Sequence, residues 1–415
     1  MTISPIKTRN RGRQLALKLL TIVGGLAIGF LLVEVALRII GYRYLNLSQY
    51  DAYVGYALRP GAEGWWRKEG EAYIKINSDG LRDREHSPAK QPDSFRVAVL
   101  GDSFAEALQV PWENAFWALA EQRLQGCPEL QGRKVEAINF GVSGFSTARE
   151  LITLRQRVWK YSPDMVVLLV TTGNDIKDNS PRLNQYESLP LPYFVYKNDA
   201  LVLDNSLLRE HEKSLKFRLQ KSFPGTTLDW LRDHLRLIGL IDEARGAWQN
   251  RGPKRHADQA GFVDEPGLGT KVYIPPTDPV WEEAWRITEG LILLMRDEVK
   301  AHGAQFLIVT GSHGIQVYPD PEVRQNFMRQ LAVDDLFYPD RRIKALGDRE
   351  GIEVLNLASD LQVYADQNKA ILHGKDGSGH WNVLGHRLVG DRVAAKICEI
   401  VAERRAKGQG QSATR

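Results

Sequence analysis

Hydrophobic residues are distributed very unevenly along the chain. Residues 19–33, LLTIVGGLAIGFLLV, carry no charge, and Val35, Ala36 and Leu37 continue the run past Glu34. An apolar stretch of this length approaches the roughly 20 residues needed to cross a bilayer. Five cations, Lys7, Arg9, Arg11, Arg13 and Lys18, stand at or ahead of its start with no balancing acid. That asymmetry predicts a basic cytoplasmic segment over 1–18 and a transmembrane signal anchor over 19–41, with the rest of the chain on the far side. Glu34 then falls near the far headgroups. No small-x-small pair follows, so the anchor is expected to be retained.

Residues 42–94 are rich in Tyr, Trp, Gly and Pro, with short alternating runs such as AYIKINSDG, which predict a small β-containing region. From Phe95 the pattern changes to five short apolar runs, RVAVLGDS, VEAINFGVSG, DMVVLLVTTGND, AQFLIVTGSHG and GIEVLNLAS, separated by helical stretches. Alternation of this kind predicts a parallel α/β sheet over 95–405. Helices are expected at 113–125, at 147–160 (opened by the capping-box spacing Thr147-x-x-Glu150), at 280–302 and from Val383 to about Arg404. The last of these carries Leu384, Leu388, Val389, Val393, Ile397, Ile400 and Val401 on one stripe. Residues 179–279 interrupt the rhythm with the basic KSLKFRLQKS and the polar NRGPKRHADQAG. They read as an insertion, either a cap over the ligand crevice or a passive elaboration. The tail 406–415 has little to bury and is expected to be disordered.

Composition changes this picture little. The chain is 43% hydrophobic and 26% charged, ordinary for a folded domain. The five N-terminal cations more than account for the net charge of +4, so no basic footprint for nucleic acid remains. Cys127 and Cys398 lie far apart without CxxC spacing, so neither a zinc site nor a disulfide framework is indicated, and a single disulfide between them stays open. No metal-ligand cluster or cofactor motif is apparent, and none is expected.

The candidate chemistry lies at the strand ends. The first run closes in Gly101-Asp102-Ser103-Phe104, the second in Asn139-Phe140-Gly141-Val142-Ser143-Gly144-Phe145, and the third in Thr172-Gly173-Asn174-Asp175. Alone, each also fits a helix cap or a turn. Together they place a serine, two backbone N–H groups (Ser103 and Gly144) and the Asn174 amide on one edge of the sheet, where ligands bind and where an oxyanion could be held. Ahead of the last helix stands Lys375-Asp376-Gly377-Ser378-Gly379-His380-Trp381, whose histidine is the candidate general base. Asp102 and Asp175 are expected to shape turns, Ser312-His313 to play a structural part, and His386 to be exposed or peripheral. Trp65, Trp66, Trp112 and Trp117 fit either core packing or a sugar-stacking surface.

These blocks, in this order, resemble the SGNH (GDSL-like) hydrolases over roughly residues 95–400. The resemblance implies a flavodoxin-like α/β/α sandwich with a parallel five-stranded sheet, preceded here by one transmembrane helix. It implies Ser103 as nucleophile, Ser103, Gly144 and Asn174 as oxyanion donors, His380 as general base and Asp376 as its orienting acid. The family spaces its acid three residues before the histidine, or two in some relatives, and those positions hold Gly377 and Ser378. Asp376 stands one residue earlier, so the glycine-flanked loop would have to pucker to bring it in; otherwise a backbone carbonyl would orient His380. The implied activity is an extracytoplasmic esterase acting on an acyl, chiefly acetyl, ester such as an acetylated glycan. The alternatives are an O-acyltransferase acting on cell-wall or exported polysaccharide, and a non-catalytic binding module with a degraded triad.

Overall fold

The computed structural model describes residues 9–42, 44–184, 189–249 and 270–412. They fall into two compact units, Met1–Leu45 with Ser214–Lys254, and Asn46–Lys213 with Arg255–Arg415. The middle of the expected insertion therefore does not group with the α/β fold, whereas its two flanks do. Its stretch 214–249 groups with the N-terminal helix, and the polar loop NRGPKRHADQAG lies outside the described residues.

In the larger unit the N-terminal region forms two antiparallel hairpins, β1 (Ser48–Asp51) with β2 (Gly55–Leu58) and β3 (Glu63–Trp66) with β4 (Ala72–Lys75). The sheet follows: β5 (Ser94–Leu100), β6 (Lys134–Asn139) and β7 (Met165–Val170). A hairpin of β8 (Tyr193–Lys197) and β9 (Ala200–Asp204) comes next, and β10 (Gln305–Thr310) and β11 (Glu353–Asn356) complete the sheet. Its spatial order is β11-β10-β7-β5-β6, with every pairing parallel. Counted among the five sheet strands alone, this is the doubly wound order 2-1-3-4-5, an α/β fold of the expected class. All residues of β5 and β7 are buried, as strands covered on both faces must be, which is why they read as unbroken apolar runs.

Alternate residues divide between the two faces. Val97, Val99, Val167 and Leu169 share one core with Trp117 and Leu124 of helix Phe116–Leu124 and with Val389, Val393 and Ile397 of helix Val383–Ser412. Their neighbours Ala98, Leu100, Val166 and Leu168 point to the other face, where helix Pro279–Ala301 packs on helix Thr147–Thr153. The latter continues as a π turn, Leu154–Val158, and a 3₁₀ turn, Trp159–Tyr161, which together span the expected helix. The capping box does not form. The N-cap is Ser146, and Glu150 is wholly buried beneath the sheet edge. The last helix runs to Ser412, through most of the stretch expected to be loose, where Ala406, Lys407, Gln409 and Gln411 are good helix formers. Cys127 and Cys398 are joined in a disulfide between the end of helix Phe116–Leu124 and the last helix, a pairing that the sequence separation of 271 had concealed.

In the smaller unit, helix Arg9–Ile39 is followed in the chain by three short helices, Leu215–Gln220, Phe223–His234 and Arg236–Gln249. Gly12–Ile39 is long and apolar enough to cross a membrane, with a mean hydropathy of 2.3 over its most apolar window.

Candidate active site

In the doubly wound order the chain reverses direction between β5 and β7, and the crevice at their carboxyl ends is where such sheets bind ligands. Ser103 follows β5 at the start of the short helix Ser103–Glu106, and Asn174 lies in helix Thr172–Asp178 directly after β7. The topology thus sets both residues at the switch point.

Asp102 ties the two strand ends together. Its carboxylate accepts from the Phe104 N–H (3.0 Å), the Thr171 hydroxyl (3.0 Å) and the Asn174 side-chain amide (2.8 Å). The last bond fixes the Asn174 amide while leaving its second N–H for another acceptor. Burial pushes the Asp102 carboxyl up, and the three donors pull it back toward ionisation. The Gly144 loop is held from three sides. Tyr56 donates to the Ser143 carbonyl (2.9 Å), Arg149 donates to the Gly144 carbonyl (2.9 Å), and the buried Glu106 accepts from both the N–H and the hydroxyl of Ser143. Gly144 adopts φ +72, and a Cβ there would lie 2.7 Å from the Tyr56 hydroxyl, so only glycine fits.

His380 completes the arrangement. Its Nε2 stands 2.7 Å from Ser103 Oγ, and its Nδ1 stands 2.7 Å from Glu69 Oε2. The same Glu69 oxygen accepts the His380 backbone N–H at 2.9 Å. A carboxylate on Nδ1 assigns the proton to that nitrogen and leaves Nε2 to accept from the serine hydroxyl. Partial burial alone would raise the Glu69 carboxyl, but the hydrogen bond and charge of His380 outweigh it and hold the group below the usual carboxylate range. The histidine loop is pinned from behind. Trp381 Nε1 donates to Ser312 Oγ (2.9 Å), Ser312 lies 3.2 Å from His373 Nε2, and His373 Nδ1 donates to the Gly379 carbonyl (2.6 Å). Burial keeps His373 neutral, with its pKa lowered to about 4, as this relay requires.

The expected orienting acid is therefore displaced. Asp376 does not occupy Nδ1; its Oδ1 accepts from the N–H (3.0 Å) and hydroxyl (2.8 Å) of Ser378, closing a local turn. With two donors one turn away, Asp376 is already satisfied, and Nδ1 is taken by Glu69 from the β3–β4 turn. His386 is likewise not exposed. It is fully buried, accepting from the Phe116 N–H through Nδ1 (3.2 Å) with Gln109 at Nε2 (3.0 Å). His313 plays a structural part. Its Nε2 accepts the Gly173 N–H (3.0 Å), its Nδ1 meets the Tyr273 hydroxyl (2.6 Å), and burial lowers its pKa to about 3. Trp117 is core, with its indole N–H on the Ala105 carbonyl, whereas Trp65 is half exposed on β3. Among the described residues no cluster of His, Cys, Asp and Glu could hold a metal ion.

No family model matches the chain, and neither does any curated protein. Among solved structures the chain is similar to the acetyl xylan esterase AlAXEase, at 14% identity and TM-score 0.38, over 73% of this chain and 100% of that one. It is also similar to a catalytic mutant of the acetylxylan esterase Axe2 from Geobacillus stearothermophilus, at 12% identity and TM-score 0.36, over 74% and 96%. TesA is a third, at 12% identity and TM-score 0.34, over 73% and 99%.

Glu69 is the site residue that sequence reasoning missed. It sits in Lys68-Glu69-Gly70-Glu71 between two short strands, with nothing in the local pattern to set it apart from an ordinary hairpin turn. Its backbone is unusual, at φ +62, a conformation that costs a non-glycine residue energy and recurs at functional sites. Gly379 makes room for it, since a Cβ there would lie 2.7 Å from Glu69 Oε2. A cleft of about 350 Å³ opens beside the histidine, lined by Glu69, Glu71, Gln109, Lys375, His380 and Asn382.

Proposed function

We propose that this chain is a membrane-anchored serine esterase with its catalytic domain outside the cytoplasm, using Ser103, His380 and Glu69 as its triad. The observation that carries this reading is the relay from Ser103 Oγ through His380 to Glu69, with both links at 2.7 Å. In the reaction, Ser103 Oγ attacks the ester carbonyl carbon while His380 Nε2 takes the hydroxyl proton. Negative charge gathers on the carbonyl oxygen, for which the Ser103 and Gly144 N–H groups and the Asn174 amide are the candidate donors. The carbon–oxygen bond to the alcohol then breaks, and His380 returns its proton to the departing alkoxide. Water, deprotonated by His380, attacks the acyl-serine and releases the carboxylic acid together with free Ser103. Glu69 holds the imidazole in the working tautomer and balances the imidazolium charge.

The cleft beside His380 mixes charged groups (Glu69, Glu71 and Lys375) with apolar ones (Val110, Ile371 and Val383), a lining that suits a short acyl ester of a polar alcohol, such as an acetylated glycan. The Cys127–Cys398 disulfide supports an oxidising compartment, in agreement with the basic residues ahead of the apolar helix. A non-catalytic module drew its support from the misplaced Asp376, and a carboxylate on Nδ1 removes that support.

The test is turnover of p-nitrophenyl acetate by the purified full chain, together with labelling by a fluorophosphonate. Ser103→Ala should abolish both while leaving the circular dichroism spectrum unchanged. Persistent labelling at another serine would refute the assignment.

A further inference from the structure

The segment Ser214–Lys254 belongs to the same compact unit as the apolar N-terminal helix, and among the described residues hydrogen bonds join it to the C-terminal end of that helix. The Leu237 N–H donates to Glu34 Oε2 (3.0 Å), Arg236 donates to the Leu37 carbonyl (3.0 Å), and Arg38 donates to the His234 carbonyl (2.9 Å). Just beyond, the Tyr42 hydroxyl donates to Glu243 Oε2 (2.5 Å). A carboxylate such as Glu34 is expensive in hydrocarbon, but here Arg38 and a helix-start N–H satisfy it. Leu15–Val33, at about 1.5 Å per residue, reaches roughly 28 Å, close to the ~30 Å hydrocarbon thickness. The short helices are therefore fastened at the level where the spanning helix leaves the hydrocarbon.

What these helices present to solvent does not suit water. Phe223 is 84% exposed, Leu215 71% and Trp248 70%, and Leu219 and Trp230 are also more than half exposed. Lys216, Arg218 and Lys221 are interleaved with the first of these, and no acid occurs from Ser214 to Leu228. Exposed Trp, Phe and Leu beside a run of cations is the composition of helices that lie in the headgroup layer, with apolar groups in the outer acyl region and cations on lipid phosphates.

We propose that helices Leu215–Gln220, Phe223–His234 and Arg236–Gln249 form an interfacial platform seated on the outer leaflet of the bilayer that the anchor crosses. The occupant of the apolar face is phospholipid. The inference rests on reading Arg9–Ile39 as a retained anchor, and the experiment separates the two ideas.

The full chain is reconstituted in phosphatidylcholine vesicles containing phosphatidylglycerol, with acyl chains brominated near the carbonyl. Tryptophan emission is compared for the natural chain and the conservative double variant Trp230→Phe, Trp248→Phe. Shallow bromines should quench the natural chain, and the double variant should lose most of that quenching, since the other eight tryptophans lie outside these helices. Quenching that is absent, or unaltered by the double variant, in a chain that resists carbonate extraction would overturn the platform and leave the anchor standing. Unquenched Trp230 and Trp248 in a chain that sediments as a dimer would assign the face to a second copy and overturn the lipid proposal. Release of the chain by carbonate would overturn the anchor and the platform together.

Discussion

At the scale of single residues, the decisive pair is Glu69 and Asp376. Both are acids near His380 in one sense or the other, Asp376 in sequence and Glu69 in space, and their partners differ. Glu69 Oε2 faces Nδ1 at 2.7 Å, whereas Asp376 is spent on Ser378. Replacing an orienting carboxylate by its amide costs about 10⁴ in rate in a template serine protease, where the acid is buried. The Glu69 side chain is 39% exposed, so solvent screening should reduce the effect. Glu69→Gln is expected to lower kcat by about a hundredfold or more with KM nearly unchanged, and Asp376→Asn by less than about tenfold, as only a more distant charge is removed. Steady-state kinetics on both variants decide the matter, and the reverse ranking would restore Asp376. The pH dependence follows from the lowered Glu69 pKa. A carboxyl held low contributes fully above its unfolded value near 4.3 and loses its contribution as pH falls through the folded value, so Glu69 should not limit activity at neutral pH.

At the scale of elements, helix Thr147–Thr153 carries an unusual load. Glu150 on this helix and Asp175 on helix Thr172–Asp178 are both fully buried, and neither Glu150 oxygen has a hydrogen-bond partner. Burial first, then repulsion from Asp102 on Glu150 and from Glu150 and Asp102 on Asp175, drives both carboxyls well above the ordinary range. Above the unfolded value near 4.3 the unfolded chain sheds the Glu150 proton while the folded chain keeps it, so the penalty on folding grows as pH rises toward the folded value. Glu150→Gln should therefore stabilise the protein more near pH 8 than near pH 4.5, by at least about 1.4 kcal/mol, the linkage of one pKa unit. Urea unfolding at the two pH values measures this, and a pH-independent difference would contradict it. The capping-box spacing misleads here because the cap is Ser146, one residue earlier than the spacing implies, so Glu150 is the fourth helical residue and is buried in the core instead of reaching back to the cap.

Across the whole molecule, the last helix closes the fold. Its stripe of Val389, Val393, Ile397, Ile400 and Val401 joins the core shared by β5, β7 and helix Phe116–Leu124, and the Cys127–Cys398 bond ties its middle to the turn that follows that same helix. A cross-link that closes a loop of 271 residues removes much chain entropy from the unfolded state, although measured gains fall short of the ideal. Replacing both cysteines by serine is expected to lower stability by about 2 to 4 kcal/mol, read as a fall in the urea midpoint. Equal midpoints for the natural chain and the double variant would show that the helix stripe alone holds the closure.

Much of this architecture is legible along the chain because it is written in short periods. The buried strands announce themselves as unbroken apolar runs, the last helix as a stripe, and the candidate anchor as a charge-free run behind cations. Ser103 and His380 stand out because each sits in a turn next to such an element, and the parallel sheet order then brings the two turns to one edge. Tertiary structure alone decided the rest. Glu69 reaches His380 across 311 residues, Cys127 reaches Cys398 across 271, and Ser214–Lys254 groups with a helix nearly two hundred residues earlier. A hydrogen bond, a disulfide or an apolar contact has no preferred sequence separation. Each forms wherever folding leaves two compatible groups facing one another, and only the packed chain specifies where that is.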